Sequence, residues 1–201
     1  MMRIAVLVSH GGSVLQAVID AIEAGNLPAQ IVLAISNNSR APALKRAIAH
    51  GIATIHLSSH THPQGNDLDI EMRRVLKASN PDWILLAGYM KRLGPQTLEE
   101  FRDRIINTHP ALLPRHGGKG FYGRRVHQAV LDAGDSESGA TVHLVDNEYD
   151  SGPILSQVRV PVKASDSVES LELRVQEAER NLITTTLTNL AVNGVGTCLA
   201  V

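Results

Sequence analysis

The stretch Arg3-Ile4-Ala5-Val6-Leu7-Val8-Ser9-His10-Gly11-Gly12-Ser13 decides the fold class. Its apolar first half predicts a short buried strand, and the Gly-Gly-Ser sequence that follows predicts a turn. Apolar residues at helical spacing come next, namely Leu15, Val18, Ile19 and Ile22. A strand, a glycine turn and a helix in this order predict the start of an α/β domain.

The same alternation of strand and helix continues along the chain. Further strands are predicted at 31–35, 54–57, 83–87, from Ile105 into Asn107, at 140–145 and at 154–162. Helices are predicted at 41–50, around the apolar face Leu68, Met72, Val75 and Leu76, at 126–133, and in a long final segment with Leu171, Val175, Ala178 and Leu182 inward. We expect Asp166-x-x-Glu169 to form a capping box for the final helix and Asn193-Gly194 to end it.

These elements predict a single α/β domain over residues 1–201, built on a doubly wound and mostly parallel sheet. Helices are expected on both faces of the sheet. The alternating pattern of residues 154–162 predicts an antiparallel edge strand in the C-terminal half.

Composition excludes several classes of protein. The net charge is -1 and aromatic residues make up 3% of the chain, so we expect neither a nucleic-acid partner nor a membrane partner. The single cysteine, Cys198, excludes an internal disulfide framework and a multi-cysteine zinc site. No metal is expected, since His60-Thr61-His62 lies in a polar loop. The N-terminal apolar run is too short for a signal peptide, so we expect the cytoplasm.

The segment Ser9–Ser13 lies between the first strand and its helix, where open α/β sheets bind ligands. Glycines let the backbone approach an anion, and the N–H groups at a helix start favour a phosphate. A dinucleotide site would need a G-x-G-x-x-G pattern and an acidic residue about 20 positions later, and neither is present. The segment therefore predicts a monophosphate site, with a plain tight turn as the alternative.

A second segment, Asn107-Thr108-His109-Pro110-Ala111-Leu112-Leu113-Pro114, follows the predicted fifth strand. Residues two apart on a strand point to the same side, so Asn107 and His109 can place an amide donor and an imidazole around one carbonyl group. The downstream loop 146–153 supplies carboxylates that can pair with the imidazole. The alternative is a structural histidine, the role that we expect for His127 and His143.

These segments together resemble the folate-dependent formyltransferases. The segment 107–114 is similar to the Asn-x-His-Pro-Ser-Leu-Leu-Pro signature of that superfamily, and the spacing to Gly139-Ala140-Thr141-Val142-His143 and to Asp150-x-Gly152-Pro153 fits as well. The opening segment 8–17 narrows the resemblance to the phosphoribosylglycinamide formyltransferase family of purine synthesis. The resemblance extends from Ile4 to about Leu187.

The resemblance implies transfer of a formyl group from 10-formyltetrahydrofolate to the amine of glycinamide ribonucleotide. In the implied mechanism, Asn107 and protonated His109 donate hydrogen bonds to the oxyanion, and Asp150 raises the pKa of His109. The residues implied for nucleotide binding are Gly12, Ser13, Val14, Gln176 and Glu179. The residues implied for folate binding are Met90, Lys91, Arg92, Leu93, Asn107 and Val145. The nucleotide-phosphate half is expected at about 1–100 and the folate and catalytic half at about 101–201.

The chain departs from the family pattern at Val14, where an asparagine is usual, at His10 and at about Gly65. These departures bear on substrate affinity. Three alternatives stay open: a formyltetrahydrofolate hydrolase, another N-formyltransferase, and a catalytically silent binding relative. The presence of Asn107, His109 and Asp150 favours an enzyme that acts on small molecules, as a monomer or a homodimer.

Overall fold

The structure, a computed structural model, describes residues 1–193, so the predicted helix stop at Gly194 and Cys198 lie outside the described residues. The strands are β1 (Met2–Val8), β2 (Ala29–Ser36), β3 (Thr54–His56), β4 (Trp83–Leu86), β5 (Ile105–His109), β6 (Glu137–Leu144) and β7 (Ile154–Pro161). The helices are α1 (Ser13–Glu23), α2 (Pro42–Ala49), α3 (Asp67–Ser79), α4 (Pro95–Glu100), α5 (Arg124–Asp132) and α6 (Val168–Asn193).

The strands form one 7-stranded sheet in the order β3-β2-β1-β4-β5-β6-β7. Strand β1 is parallel to both β2 and β4, and β2 is parallel to β3. Strand β7 lies at the edge and pairs antiparallel with β6. The predicted fold class, a mostly parallel α/β sheet with an antiparallel edge strand in the C-terminal half, is confirmed.

The chain divides into two compact units, Met1–Ile106 and the residues from Asn107 onward. The assignment of the two halves to nucleotide phosphate and to folate stays a prediction. In the first unit, Ile4 to Val8 of β1 are fully buried, as expected of a parallel strand that is covered on both faces. Helix α1 contributes Val14, Leu15, Val18 and Ile19 to the core of this unit.

Helix α4 of the first unit was not expected from the sequence. Its 6 residues are too few to display a helical period. Its N-terminus is capped by a side chain that is distant in sequence: the buried carboxylate of Asp69 on α3 accepts hydrogen bonds from the backbone N–H groups of Gln96 and Thr97 and from the Thr97 hydroxyl. Asp69 lies on the same face of α3 as Met72 and Val75 because it caps the neighbouring helix.

In the second unit, Val130 of α5, Val160 of β7, and Leu171 and Val175 of α6 pack into one buried cluster. Of the four residues predicted to face inward on α6, Leu171 and Val175 are fully buried and Ala178 and Leu182 are half-buried.

The capping box predicted for α6 is wrong by one residue. The reciprocal bonds join Ser167 and Ser170, because each backbone N–H donates to the hydroxyl of the other residue. Asp166 instead accepts hydrogen bonds from the Arg174 guanidinium and the Ser170 hydroxyl, which hold its pKa well below the usual range. A charged partner about two turns along the helix therefore pairs with the carboxylate that the sequence pattern assigned to the cap.

Among residues 1–193, no helix is both long enough and apolar enough to cross a membrane.

Candidate active site

Asn107 on β5 contacts two other polar residues of the second unit. Its side-chain amide donates a hydrogen bond to Nε2 of His143 on β6 at 3.1 Å, and the same nitrogen lies 3.5 Å from Oδ1 of Asp150. His143 Nδ1 donates to the carbonyl oxygen of Leu144 at 2.8 Å, which leaves Nε2 as the acceptor. His143 thus fixes which end of the Asn107 amide is the donor, and the second N–H of that amide faces the Asp150 carboxylate.

His109 ends β5 and is 4% exposed. Its Nε2 donates to the carbonyl oxygen of His116 at 2.8 Å, and its Nδ1 lies 3.5 Å from Oδ2 of Asp150. Because Nε2 carries the proton for that carbonyl, the neutral ring has its free lone pair on Nδ1. Nδ1 is therefore the nitrogen that can take a proton on the side of Asp150.

Asp150 lies in the loop between β6 and β7, in a left-handed backbone conformation with φ 55°. The backbone N–H of Gly118 donates to its Oδ2 at 2.9 Å. Burial acts to raise the pKa of Asp150, but the neighbouring His143 and His109 imidazoles and the Gly118 N–H outweigh it and lower the pKa. The carboxylate is therefore charged and faces both His109 and His143.

The pKa of His109 is lowered, and burial is the largest cause. Asp150 and the His116 carbonyl act in the opposite direction and raise the pKa, but they do not offset burial. The influence of Asp150 has the direction that the sequence analysis expects. The protonated state of His109 in the reaction stays a prediction. The lowered pKa favours the neutral ring in the ligand-free protein, and that ring can acquire a proton during a reaction.

The two histidines that we expected to be structural have different surroundings. His143 contacts Asn107 directly and lies 3.6 Å from Asp150, so it joins the candidate catalytic residues. The motif Gly139–His143 was the available signal, because it places a polar residue at the carboxyl end of β6. His127 is fully buried on α5, and its Nδ1 has no hydrogen-bond partner among residues 1–193. Burial lowers its pKa.

The glycine loop of the first unit has the geometry of an anion site. Gly12 is the N-cap of α1, with φ 74°, and no side chain caps the helix, so the first backbone N–H groups of α1 are left for another acceptor. Ser13 is exposed and begins the helix, and Val14 is buried. The guanidinium of Arg46 on α2, which the sequence analysis missed, donates to the Gly11 carbonyl at 2.9 Å and adds a cation beside the loop.

Gly12→Ala is expected to destabilise the first unit and to weaken any anion site there. A non-glycine residue in the left-handed region costs about 1–3 kcal/mol, and the new Cβ atom would lie 2.7 Å from the Ala43 Cβ atom. Gly11→Ala is the matched control, because a Cβ atom at Gly11 would meet nothing within 4 Å. In urea unfolding, the free energy of unfolding of Gly12→Ala should be clearly lower than that of Gly11→Ala. Equal free energies of unfolding would contradict this account of the loop.

The segment Met90–Leu93 follows β4 in the first unit and is tied to the glycine loop. The Ser9 hydroxyl accepts a hydrogen bond from the Met90 backbone N–H at 2.8 Å and donates to Oδ1 of Asn37 at 2.6 Å. Met90, Lys91 and Arg92 are exposed and Leu93 is buried. The structure thus brings the predicted phosphate segment and the predicted pterin segment together through one serine.

The remaining predicted site residues lie in the second unit. Val145 directly follows β6 and is half-buried, and Gln176 and Glu179 lie on α6. Burial raises the pKa of Glu179, and the neighbouring Thr108 hydroxyl and Arg180 offset part of that rise. The amide of Gln176 donates to Glu172 at 3.2 Å.

Two other features of the described chain bear on ligands. Within residues 1–193, no group of 3 or more His, Cys, Asp or Glu side chains is arranged to hold a metal ion. A cavity of about 450 Å³ in the second unit is lined by His116 and Asp135, among others, but by none of Asn107, His109 and Asp150.

The comparisons with known proteins agree with the geometry. A family model described as formyl transferase matches residues 2–187. The phosphoribosylglycinamide formyltransferase of Haemophilus influenzae is 39% identical over 89% of this chain and 82% of its own length. The trifunctional purine biosynthetic protein adenosine-3 of Drosophila pseudoobscura pseudoobscura is 42% identical over 88% of this chain, which spans 13% of that protein.

Among solved structures, the glycinamide ribonucleotide transformylase 1 of Geobacillus kaustophilus superposes with a TM-score of 0.88 at 36% identity, over 95% of this chain and 99% of that one. Sequence and fold similarity therefore extend over most of the chain and agree with each other. The chain belongs to the phosphoribosylglycinamide formyltransferases, the family of formyl-transferring enzymes of purine biosynthesis that its sequence motifs predict.

Proposed function

We propose that the protein transfers the formyl group of 10-formyltetrahydrofolate to the amine of glycinamide ribonucleotide. The observation that carries this proposal is the convergence of Asn107, His109 and Asp150 in the second unit. This set supplies one fixed amide donor, one imidazole with a free nitrogen and one carboxylate beside both. Acyl transfer to an amine needs a donor for an oxyanion and a group that moves a proton.

In the proposed reaction, the amine nitrogen bonds to the formyl carbon and the carbonyl oxygen becomes negatively charged. The Asn107 amide donates a hydrogen bond to that oxygen. His109 Nδ1 takes the proton that the amine loses, and Asp150 stabilises the imidazolium by its charge. The protonated ring then donates to the oxyanion. When the bond between the formyl carbon and N10 of the folate breaks, His109 returns the proton to N10, so atoms and charge balance.

The substrate-binding assignments rest on the family resemblance and on local chemistry. We assign the nucleotide phosphate to Gly12, Ser13 and Val14, because uncapped N–H groups at a helix start favour an anion. Gln176 and Glu179 are assigned to the ribose and amine ends of the nucleotide. Arg46 adds positive charge beside the glycine loop and supports the phosphate assignment.

We assign the pterin of the folate to the backbone of Met90, Lys91, Arg92 and Leu93, to Asn107 and to Val145. The apolar side chains of Met90 and Leu93 suit a flat heterocycle, and peptide groups can bond to its polar edge. The assignment needs no metal ion. The cytoplasmic location and a monomer or homodimer stay predictions from the sequence.

The purified protein should be incubated with 10-formyltetrahydrofolate alone and with each of three acceptors: glycinamide ribonucleotide, an aminoacylated transfer RNA and an amino-sugar nucleotide. We expect consumption of the donor only with glycinamide ribonucleotide. Consumption without an acceptor would instead indicate a hydrolase, and formylation of another acceptor would indicate a related transferase. No consumption in any arm would indicate a silent binding relative.

A further inference from the structure

The carbonyl group that accepts the His109 proton belongs to a residue in an unusual conformation. His116 has φ 52°, in the left-handed region that non-glycine residues rarely adopt. Its carbonyl oxygen lies 2.8 Å from His109 Nε2. The chain between the two residues is short and contains Pro110 and Pro114, so the backbone conformation of His116 decides where this acceptor lies.

The side chain of His116 is held in place by Asp135. Nε2 of His116 donates to Asp135 Oδ2 at 2.6 Å, and the Arg115 guanidinium pairs with the other carboxylate oxygen. The Asp135 side chain is 8% exposed and that of His116 is 14% exposed. The bond from His116 is the largest of the contacts that lower the pKa of Asp135.

Asp135 lies three residues after the end of α5, and its backbone is bonded to that helix. Its backbone N–H donates to the Val130 carbonyl at 3.3 Å, and Val130 belongs to the buried cluster of the second unit. Asp135 is thus linked to His109 through the side chain and the carbonyl group of His116. The contacts of Asp135 itself are separate from those that join Asn107, His109 and Asp150.

We propose that Asp135 is a positioning residue for His109: by holding His116 in its left-handed conformation, it keeps the His116 carbonyl on His109 Nε2 and leaves Nδ1 as the reactive nitrogen. The proposal deepens the formyl transfer proposed above and rests on it for its kinetic consequences. The partner of one imidazole nitrogen selects the tautomer of the ring, and such supporting groups commonly change activity by about 10–100-fold.

The protonation of His109 responds to every group that faces it. These groups are Asp150 from the loop after β6, His143 from β6, His116 from its own loop and His127 from α5. The His116 carbonyl is one of the two contacts that raise the pKa of His109. Loss of that contact therefore lowers the pKa and moves the acidic limb of the kcat profile to lower pH, because the neutral ring starts the reaction.

The test compares Asp135→Ala with Asp135→Asn and with Arg115→Ala. Asp135→Ala should lower kcat by about 10–100-fold with little change in KM, and it should shift the acidic limb to lower pH. Asp135→Asn keeps one acceptor oxygen and should restore part of kcat. Arg115→Ala removes the other partner of Asp135. Because the Arg115 side chain is 65% exposed, this variant should behave as wild type.

Nitrogen-15 NMR of the His109 ring gives a readout that does not depend on activity. We expect one neutral tautomer, protonated on Nε2, in the wild type and in Arg115→Ala, and a mixture of tautomers in Asp135→Ala. If Asp135→Ala does not fold, the same comparison is made on Asp135→Asn. A single Nε2–H tautomer in the variant, or a loss of kcat with an unmoved pH limb, would overturn the proposal. Absence of transferase activity in the wild type would overturn the proposed function alone.

Discussion

His109→Ala is expected to lower kcat by about 10²–10⁴-fold and to leave nucleotide binding nearly unchanged. In the proposed reaction, the substitution removes the nitrogen that takes the amine proton and later returns it to N10 of the folate. Asp150 cannot replace it, because the contacts with His143 and the Gly118 N–H hold the pKa of that carboxyl below its usual range. Steady-state kinetics with both substrates and calorimetric titration of the nucleotide measure the two quantities separately.

The control for this variant is His60→Ala, which removes an exposed histidine from the polar loop before α3. It should keep the wild-type kcat. Because His109 is buried, the melting temperature of His109→Ala must also be measured. This measurement shows whether the variant that has lost turnover is folded. A folded His109→Ala variant with the wild-type kcat would contradict the assigned role.

Asn107→Ala is expected to lower kcat by about 10²–10³-fold, the usual cost of one lost oxyanion donor. KM should change little, because the hydrogen bond to the developing oxyanion strengthens only in the transition state. The variant also leaves Nε2 of buried His143 without its donor, which should lower the free energy of unfolding by about 1–3 kcal/mol. Kinetics and urea unfolding of the same preparation measure both effects.

Asn66→Ala is the matched control for this second variant. Asn66 is exposed at the N-terminus of α3, and its side chain makes no capping hydrogen bond. Its replacement should change neither kcat nor stability by a comparable amount. Equal kcat values for Asn107→Ala and Asn66→Ala would contradict a role for Asn107 in the reaction.

The sequence was sufficient for the parts of the site that local spacing determines. The two-residue spacing of Asn107 and His109 on one strand places both on one side of the sheet, and the glycine turn after β1 requires the positive φ of Gly12. Both features depend on neighbours within a few positions. The order of the strands, and of the helices other than α4, follows from local periodicity for the same reason.

The contacts that sequence reasoning missed join residues that are distant along the chain. Asn107 meets His143 only because of how β6 lies in the sheet, and Asp69 caps α4 only because α3 packs beside it. The bond between His116 and Asp135 depends on where α5 ends. No local pattern encodes these pairs.

The protonation of His109 depends on the relative size of two opposing effects on its pKa, which a sequence pattern does not give. The sequence predicts a neighbouring carboxylate, which raises the pKa, but the fold buries the ring and lowers the pKa by more. Only the packed structure gives the relative size of two opposing effects. In the proposed reaction, His109 therefore starts as a base.

The central claim is that the formyl carbon moves directly from the folate to the nucleotide amine. Carbon-13 NMR should follow 10-formyltetrahydrofolate that is labelled at the formyl carbon, in the presence of glycinamide ribonucleotide and the wild-type protein. The account predicts that the label leaves the folate and appears as a formamide on the nucleotide, in equal amounts. Label that appears as free formate, or that stays on the folate, would contradict it.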